Sequence, residues 1–247
     1  MLKIENTEVL GWDAAIRGMR NPKNSWEKSD SQFVRDPDYG CFGACPCAEL
    51  VDCDCCHVGP NDLKLMTTLR NAGTDHRKFM RMITVYLNIT APLYWWKEFD
   101  TYKVGTVANS CSTMHKITAK EFDVNDFSHE HIEELDGDEY NMSYDWLLRT
   151  VDILNYYRQK YLETKTKPMK EEAKRAPLMK TYWWQMIQLL PSSYNQRRTI
   201  LLNYEVLANI YKSRRNHKLD EWHTFCDWIE SLPYSELITG KEKKLDE

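Results

Sequence analysis

The chain has 247 residues, 42% apolar and 28% charged, with a formal net charge of −4, a balance in the ordinary globular range that suits one large core or at most two small ones. The slight acidity argues against a strongly basic face of the kind that nucleic-acid backbones select. No uninterrupted apolar run approaches the ~20 residues that span a bilayer, and Met1-Leu2-Lys3-Ile4-Glu5-Asn6 lacks the apolar core of a signal peptide, so a soluble, cytoplasmic protein is expected, with neither nucleic acid nor membrane as partner.

In chain order, Val9, Leu10, Trp12, Ile16 and Met19 fall roughly on one side of a short helix expected over residues 8–20. Residues 21–40 carry Pro22, Pro37 and Gly40 and read as loop. An insert at about 38–59 then concentrates Cys41, Cys45, Cys47, Cys53, Cys55, Cys56 and His57. Thiolates at such short spacings can converge on one soft metal, and zinc is the first candidate with these seven residues as ligands. The spacing does not match paired CxxC knuckles, so an iron–sulfur cluster and free or redox-active thiols stay open. Cys111 and Cys226 stand alone and read as small buried residues.

Asn61 or Asp62 can cap a helix carrying Leu63, Met66 and Leu69, with Gly73 as its stop. The period changes over Phe79–Ile89, where Ile83, Val85, Leu87 and Ile89 alternate as in a strand. Ala91-Pro92 ends it, and Pro92 opens a helix through Leu93-Tyr94-Trp95-Trp96. Residues 121–141 are acidic and loop-like, and Ser143 is placed to cap a long helix with Trp146, Leu147, Thr150, Leu154 and Tyr157 as its buried stripe. After a charged break around Pro168, further helices are expected at 178–190, 196–215 and 220–231. There is no regular βαβ alternation, no G-x-G-x-x-G and no phosphate loop, which argues against a doubly wound nucleotide-binding fold.

Two segments together resemble the flavin-dependent thymidylate synthases. Leu190-Pro191 is followed by Asn203, Leu207, Asn209, Arg214, His217 and Trp222. This is similar to the family's helix bearing an Asn, an Arg two residues on, a second Asn, and a later Arg before a His. The second segment starts at His76 and Phe79, like the family's His-containing turn into a strand, and leads to Tyr102-Lys103-Val104-Gly105-Thr106-Val107-Ala108-Asn109-Ser110-Cys111-Ser112. Asn109 and Ser112 match the family's arginine-rich signature in register; Tyr102, Val104 and Met114 stand where it has arginines, and Glu205 stands where the helix has its early Arg.

The resemblance implies one α/β (α+β) domain over residues 1–247, with a central, mostly antiparallel sheet flanked by long helices and the Cys-rich region as an insert. It implies methylation of dUMP to dTMP with FAD, a nicotinamide reductant (NADPH) and methylenetetrahydrofolate, in a homotetramer that shares its active sites. By position, His76, Asn109, Asn203, Asn209 and His217 would face the cofactor. Ser112, Lys103 and Arg214 would face the nucleotide, with Arg214 also polarising the pyrimidine. With the signature arginines replaced, other arginines such as Arg77, Arg81, Arg197, Arg198 or Arg215 are available to a ligand. Two alternatives stand beside this reading: a non-canonical or non-catalytic relative that binds a nucleotide or modifies a base, and a metal-bound interaction module built on the cysteines.

Overall fold

The computed structural model describes residues 2–33, 56–133, 142–168 and 172–241. The chain is a mixture of helices and antiparallel sheet, as expected. It opens with β1 (Lys3–Leu10) and α1 (Trp12–Arg20). The short strands β2 (Gln32–Phe33) and β3 (Cys56–His57) pair antiparallel, and α2 (Pro60–Asn71) follows. Then come β4 (Thr84–Pro92), α3 (Leu93–Phe99), β5 (Val107–Ser110), α4 (Thr113–Lys116) and α5 (Glu130–Glu133). The long helices α6 (Met142–Thr166) and α7 (Arg175–Leu189) precede β6 (Asn195–Asn203), α8 (Tyr204–Arg214), α9 (Asp220–Ser231) and α10 (Glu236–Thr239). The main sheet has the order β1-β4-β6-β5.

Several points differ from the sequence expectation. Pro60 opens α2 after Gly59, so Asn61 and Asp62 lie inside its first turn. Met142 opens α6, so Ser143 does not cap it, and Trp146, expected in the buried stripe, is exposed because only Leu147, Thr150, Val151 and Leu154 face the core. Two segments also divide differently. Residues 8–20 are not one helix: β1 runs to Leu10, and the break is at Gly11, whose φ is +92°. An L side chain is strained at that angle, and a Cβ there would lie 2.2 Å from the Met82 carbonyl oxygen. Residues 196–215 are likewise a strand followed by a helix. Ile200 and Leu202 are fully buried on alternate positions of β6, a period of two. Asn203 then caps α8, its side chain accepting from the Val206 amide at 3.0 Å.

The contacts divide the chain into two compact units. The larger comprises Leu2–Ile89, Phe99–Asn109 and Arg198–Glu247. Its core takes Ile83, just before β4, and Val85, Leu87 and Ile89 from β4, every one of them buried as the alternation requires. Fully burying such side chains contributes ~1.5–3 kcal/mol each. Trp12 packs edge-on against Tyr204 and Tyr234, and the Tyr204 hydroxyl donates to the Pro233 carbonyl at 2.6 Å.

A buried ionic clamp closes this unit's N-terminal region. Arg20 Nε donates to Asp62 Oδ1 at 2.6 Å, and Ser29 Oγ and Ser31 Oγ donate to Asp62 Oδ2 at 2.6 and 2.7 Å. The other Arg20 nitrogens donate to the Ser25 and Lys28 carbonyls. Burial pushes the Asp62 carboxyl up, but hydrogen bonds from Ser29, Ser31 and Arg20 outweigh it and hold the group below the usual carboxylate value. Asp62 is therefore an anchor for the 25–31 loop as well as a residue of the first turn of α2.

The second unit comprises Thr90–Glu98 and Ser110–Arg197. Its helices α6 and α7 pack together, and its core includes Phe122, Phe127, Leu147, Leu154 and Met186. The Asn155 side chain both donates to the carbonyl and accepts from the amide of Phe122, at 2.8 Å each, so it stands in for a strand partner.

Candidate functional site

The two segments that carry the resemblance fall largely in the larger unit, and α8 organises them there. At the helix start, Asn203 uses its oxygen as the cap, and its Nδ2 lies 3.0 Å from where a Cβ on Gly105 would sit. Gly105 has φ +76°, so the loop passes close to the helix with a backbone that only glycine takes without strain. At the helix end, Arg214 Nε donates to the Tyr102 hydroxyl at 3.0 Å. The same guanidinium carbon lies 4.9 Å from the Trp222 ring centroid and 5.7 Å from that of Tyr102. The 102–105 segment therefore lies against α8, touching its cap through Gly105 and the Arg214 side chain through Tyr102.

Tyr102, which stands at a signature arginine position, thus holds Arg214 instead of repelling it. Phe99 stacks on Trp222 with 6.4 Å between centroids, backing the same cluster. A cavity of about 330 Å³ opens beside it, lined by Phe99, Asp100, Tyr102, Lys103, Thr106 and Ala108. Lys103 is exposed at this cavity, and Arg198 pairs with Asp100 at 2.7 Å on the same side.

Glu205 is resolved in an unexpected way. It is buried, and Arg77 Nε approaches its Oε2 to 2.8 Å, although the two atoms lack hydrogen-bond alignment. Arg77 also donates from Nη2 to Asn209 Oδ1 at 3.3 Å. The cation absent from the helix is thus supplied by the residue after His76, and it is neutralised there. His76 itself is exposed, ahead of the turn Arg77–Arg81.

The remaining candidates spread out. His217 Nδ1 accepts from the Leu219 amide at 3.2 Å, fixing the turn between α8 and α9, and its ring meets Trp222 edge-on. Asn109 is exposed on β5. Ser112 belongs to the smaller unit, where its Oγ caps α4 by accepting from the His115 amide. The structure therefore brings together Asn203 with the Gly105 loop, Arg77 with Glu205 and Asn209, and Tyr102 with Arg214 and Trp222. Tyr102 and Trp222 as partners of Arg214 went unrecognised in the sequence; an aromatic residue in place of a cation, with a second aromatic eight residues past the arginine, was the available signal.

Of the proposed metal ligands, Cys41, Cys45, Cys47, Cys53 and Cys55 lie outside the described residues. Cys56 and His57 form β3, with His57 exposed. Among the described residues no group of His, Cys, Asp or Glu is arranged to hold a metal ion, so zinc gains no support. Cys226 is buried as expected, and burial pushes its thiol up to about 11. Cys111 departs from the expectation and is exposed, at the end of edge strand β5, where no core covers it. No described helix is long and apolar enough to cross a membrane.

No protein-family model matches the chain, and no curated protein matches it in sequence. Solved structures do match in fold. The flavin-dependent thymidylate synthase ThyX of Helicobacter pylori, complexed with FAD and dUMP, aligns with a TM-score of 0.60 at 15% identity, covering 96% of this chain and 98% of that one. A second structure of that enzyme with FAD and dUMP gives 0.60 at 14% identity, with coverages of 97% and 98%. The UMP/dUMP methylase PolB of Streptomyces cacaoi, bound with 5-Br dUMP, gives 0.51 at 13% identity, with coverages of 97% and 95%. At these identities the likeness establishes the fold.

Proposed function

We propose that this chain binds a pyrimidine nucleotide of the dUMP kind in the manner of a dUMP methylase, with Arg214 orienting the base. The observation that carries the reading is the fixing of Arg214 by Tyr102 and Trp222, which pack edge-on against each other beside it. A guanidinium is a planar donor fork that matches a carbonyl edge, and the Tyr102 hydroxyl and the adjoining Trp222 ring hold it in place before a ligand arrives. Lys103 at the neighbouring cavity supplies a cation suited to the nucleotide's phosphate. The structural neighbours support the same ligand class, since they are complexes with dUMP or its 5-bromo analogue.

The resemblance extends this to methylation of dUMP with FAD, NADPH and methylenetetrahydrofolate in a homotetramer. FAD would supply hydride chemistry there, and His76, Asn109, Asn203, Asn209 and His217 would be its contacts. These residues do not fit the flavin as the family holds it. Asn203 caps its helix, Asn209 accepts from Arg77, and Glu205 places a buried carboxylate where a cation is expected.

That ion pair favours a second reading: a nucleotide-binding relative that modifies the base by another route, or not at all. Calorimetric titration with dUMP tests the nucleotide site common to both. Arg214→Ala should weaken binding about tenfold or more, the scale of one charge-assisted contact, and an unchanged affinity would remove Arg214 from the site. Flavin absorbance in the purified protein, with tritium release from C5-labelled dUMP, selects the methylase; a colourless, inactive protein that still binds dUMP selects the second reading.

A further inference from the structure

The cations that the signature lacks reappear elsewhere in the larger unit. A cavity of about 420 Å³ lies among α2, α8 and α10, and Arg70, Arg77, Lys212 and Arg215 all line it, together with Thr74 and Asn209. No carboxylate belongs to this lining among the described residues. The carboxylates nearby sit behind the arginines and fix them: Glu205 pairs with Arg77, Asp227 with Arg215 at 2.6 Å, and Glu230 with Arg215 at 3.4 Å. Arg70 is held by long hydrogen bonds, 3.2 and 3.3 Å, to the Leu237 and Ile238 carbonyls. Lys212 is exposed at the rim.

We infer that this cavity binds the phosphate or diphosphate group of a small phosphorylated ligand, at a site separate from the Arg214 cluster. Cations from α2, the Arg77–Arg81 turn and the end of α8 converge on a volume within the range of small-ligand pockets. Guanidinium forks and an ammonium are the groups that hold phosphate oxygens, the first bidentately and the second as a point charge. Crowding agrees with this: burial, and then the charge of Arg77, make protonation of Arg70 less favourable than usual, a repulsion that a bound anion relieves. The pairing carboxylates leave the guanidiniums oriented while the cations still outnumber them. This assignment does not depend on the nucleotide reading.

The test is calorimetric titration of the full chain with inorganic pyrophosphate and with a nucleoside diphosphate at low salt. Saturable binding that weakens as salt rises is expected, and Lys212→Glu should weaken it by tenfold or more while Lys212→Arg largely restores it. Equal affinities would assign a free diphosphate, and tighter binding of the nucleoside form would assign a nucleotide. Lys212 is exposed, so an unchanged unfolding midpoint will show that the variant folds. Absence of saturable binding to wild type, or equal binding by wild type and Lys212→Glu, overturns the inference. Pyrophosphate binding without dUMP binding would leave this site standing and remove the nucleotide reading alone.

Discussion

Arg77 and Glu205 show how one replaced residue alters its neighbours. A carboxylate in a buried position is costly without a partner, and Arg77 meets that need with a side chain only 17% exposed against 9% for Glu205. Breaking such a pair from one side typically costs ~3–5 kcal/mol, whereas replacing both members by apolar groups is often neutral. Arg77→Met should therefore destabilise the protein by about 3 kcal/mol, because Arg77 keeps some solvent contact. Arg77→Met/Glu205→Leu should recover most of that loss. Urea denaturation of the two variants checks it, and equal losses in both would show that the pair is not the source.

Asp62 gives a pH dependence with a definite sign. Its folded-state value is depressed, so its contribution is fully present above the ordinary carboxylate range and is lost as pH falls through the lowered value. Stability should thus decline on acidification below about pH 4. Asp62→Asn should be less stable at neutral pH and show a shallower acid limb when melting temperature is followed against pH. A limb as steep as wild type would assign the dependence to other carboxylates.

At the level of elements, α8 is the part on which the site depends, and its start is fixed by one side chain. Removing an N-cap costs ~1 kcal/mol, so Asn203→Ala should lower stability by about that amount and Asn203→Asp by much less. Chemical denaturation distinguishes the two, and a loss equal in both would count against the cap. The element boundaries also show what the sequence could and could not tell. The β4 alternation and the α9 limits were legible, because each buries its residues with a regular period; α6 was legible as a long helix, but its Trp146 lies off the buried stripe. The boundary at 203 was not: Ile200, Leu202 and Tyr204 bury with a period of two, but Leu201 and Leu207 overlay a helical spacing on it. Positive φ at Gly11 likewise becomes decisive only once Met82 is seen against it. The Arg214 contacts and the Arg70 cavity depend on residues far apart in sequence, which no local pattern encodes.

For the whole molecule, the proposal of a homotetramer makes a demand on the smaller unit. Its helices α6 and α7 leave Met142 71%, Trp146 68%, Tyr156 54% and Trp184 42% exposed. Scattered apolar residues on a surface need no explanation, but four large ones exposed on two packed helices are what a contact between copies would cover. In a closed homo-oligomer such a patch is expected to meet its own copy, since symmetric contacts are self-complementary. One such two-fold contact closes a dimer and a tetramer needs a second, so analytical ultracentrifugation should find a tetramer for the wild type if the proposal holds. Trp146→Lys should shift the distribution toward dimers with the unfolding midpoint little changed, because the exposed ring contributes little to the subunit's own core. A monomeric wild type would remove the tetramer from the proposal, while a Trp146→Lys tetramer would place the interface on another face.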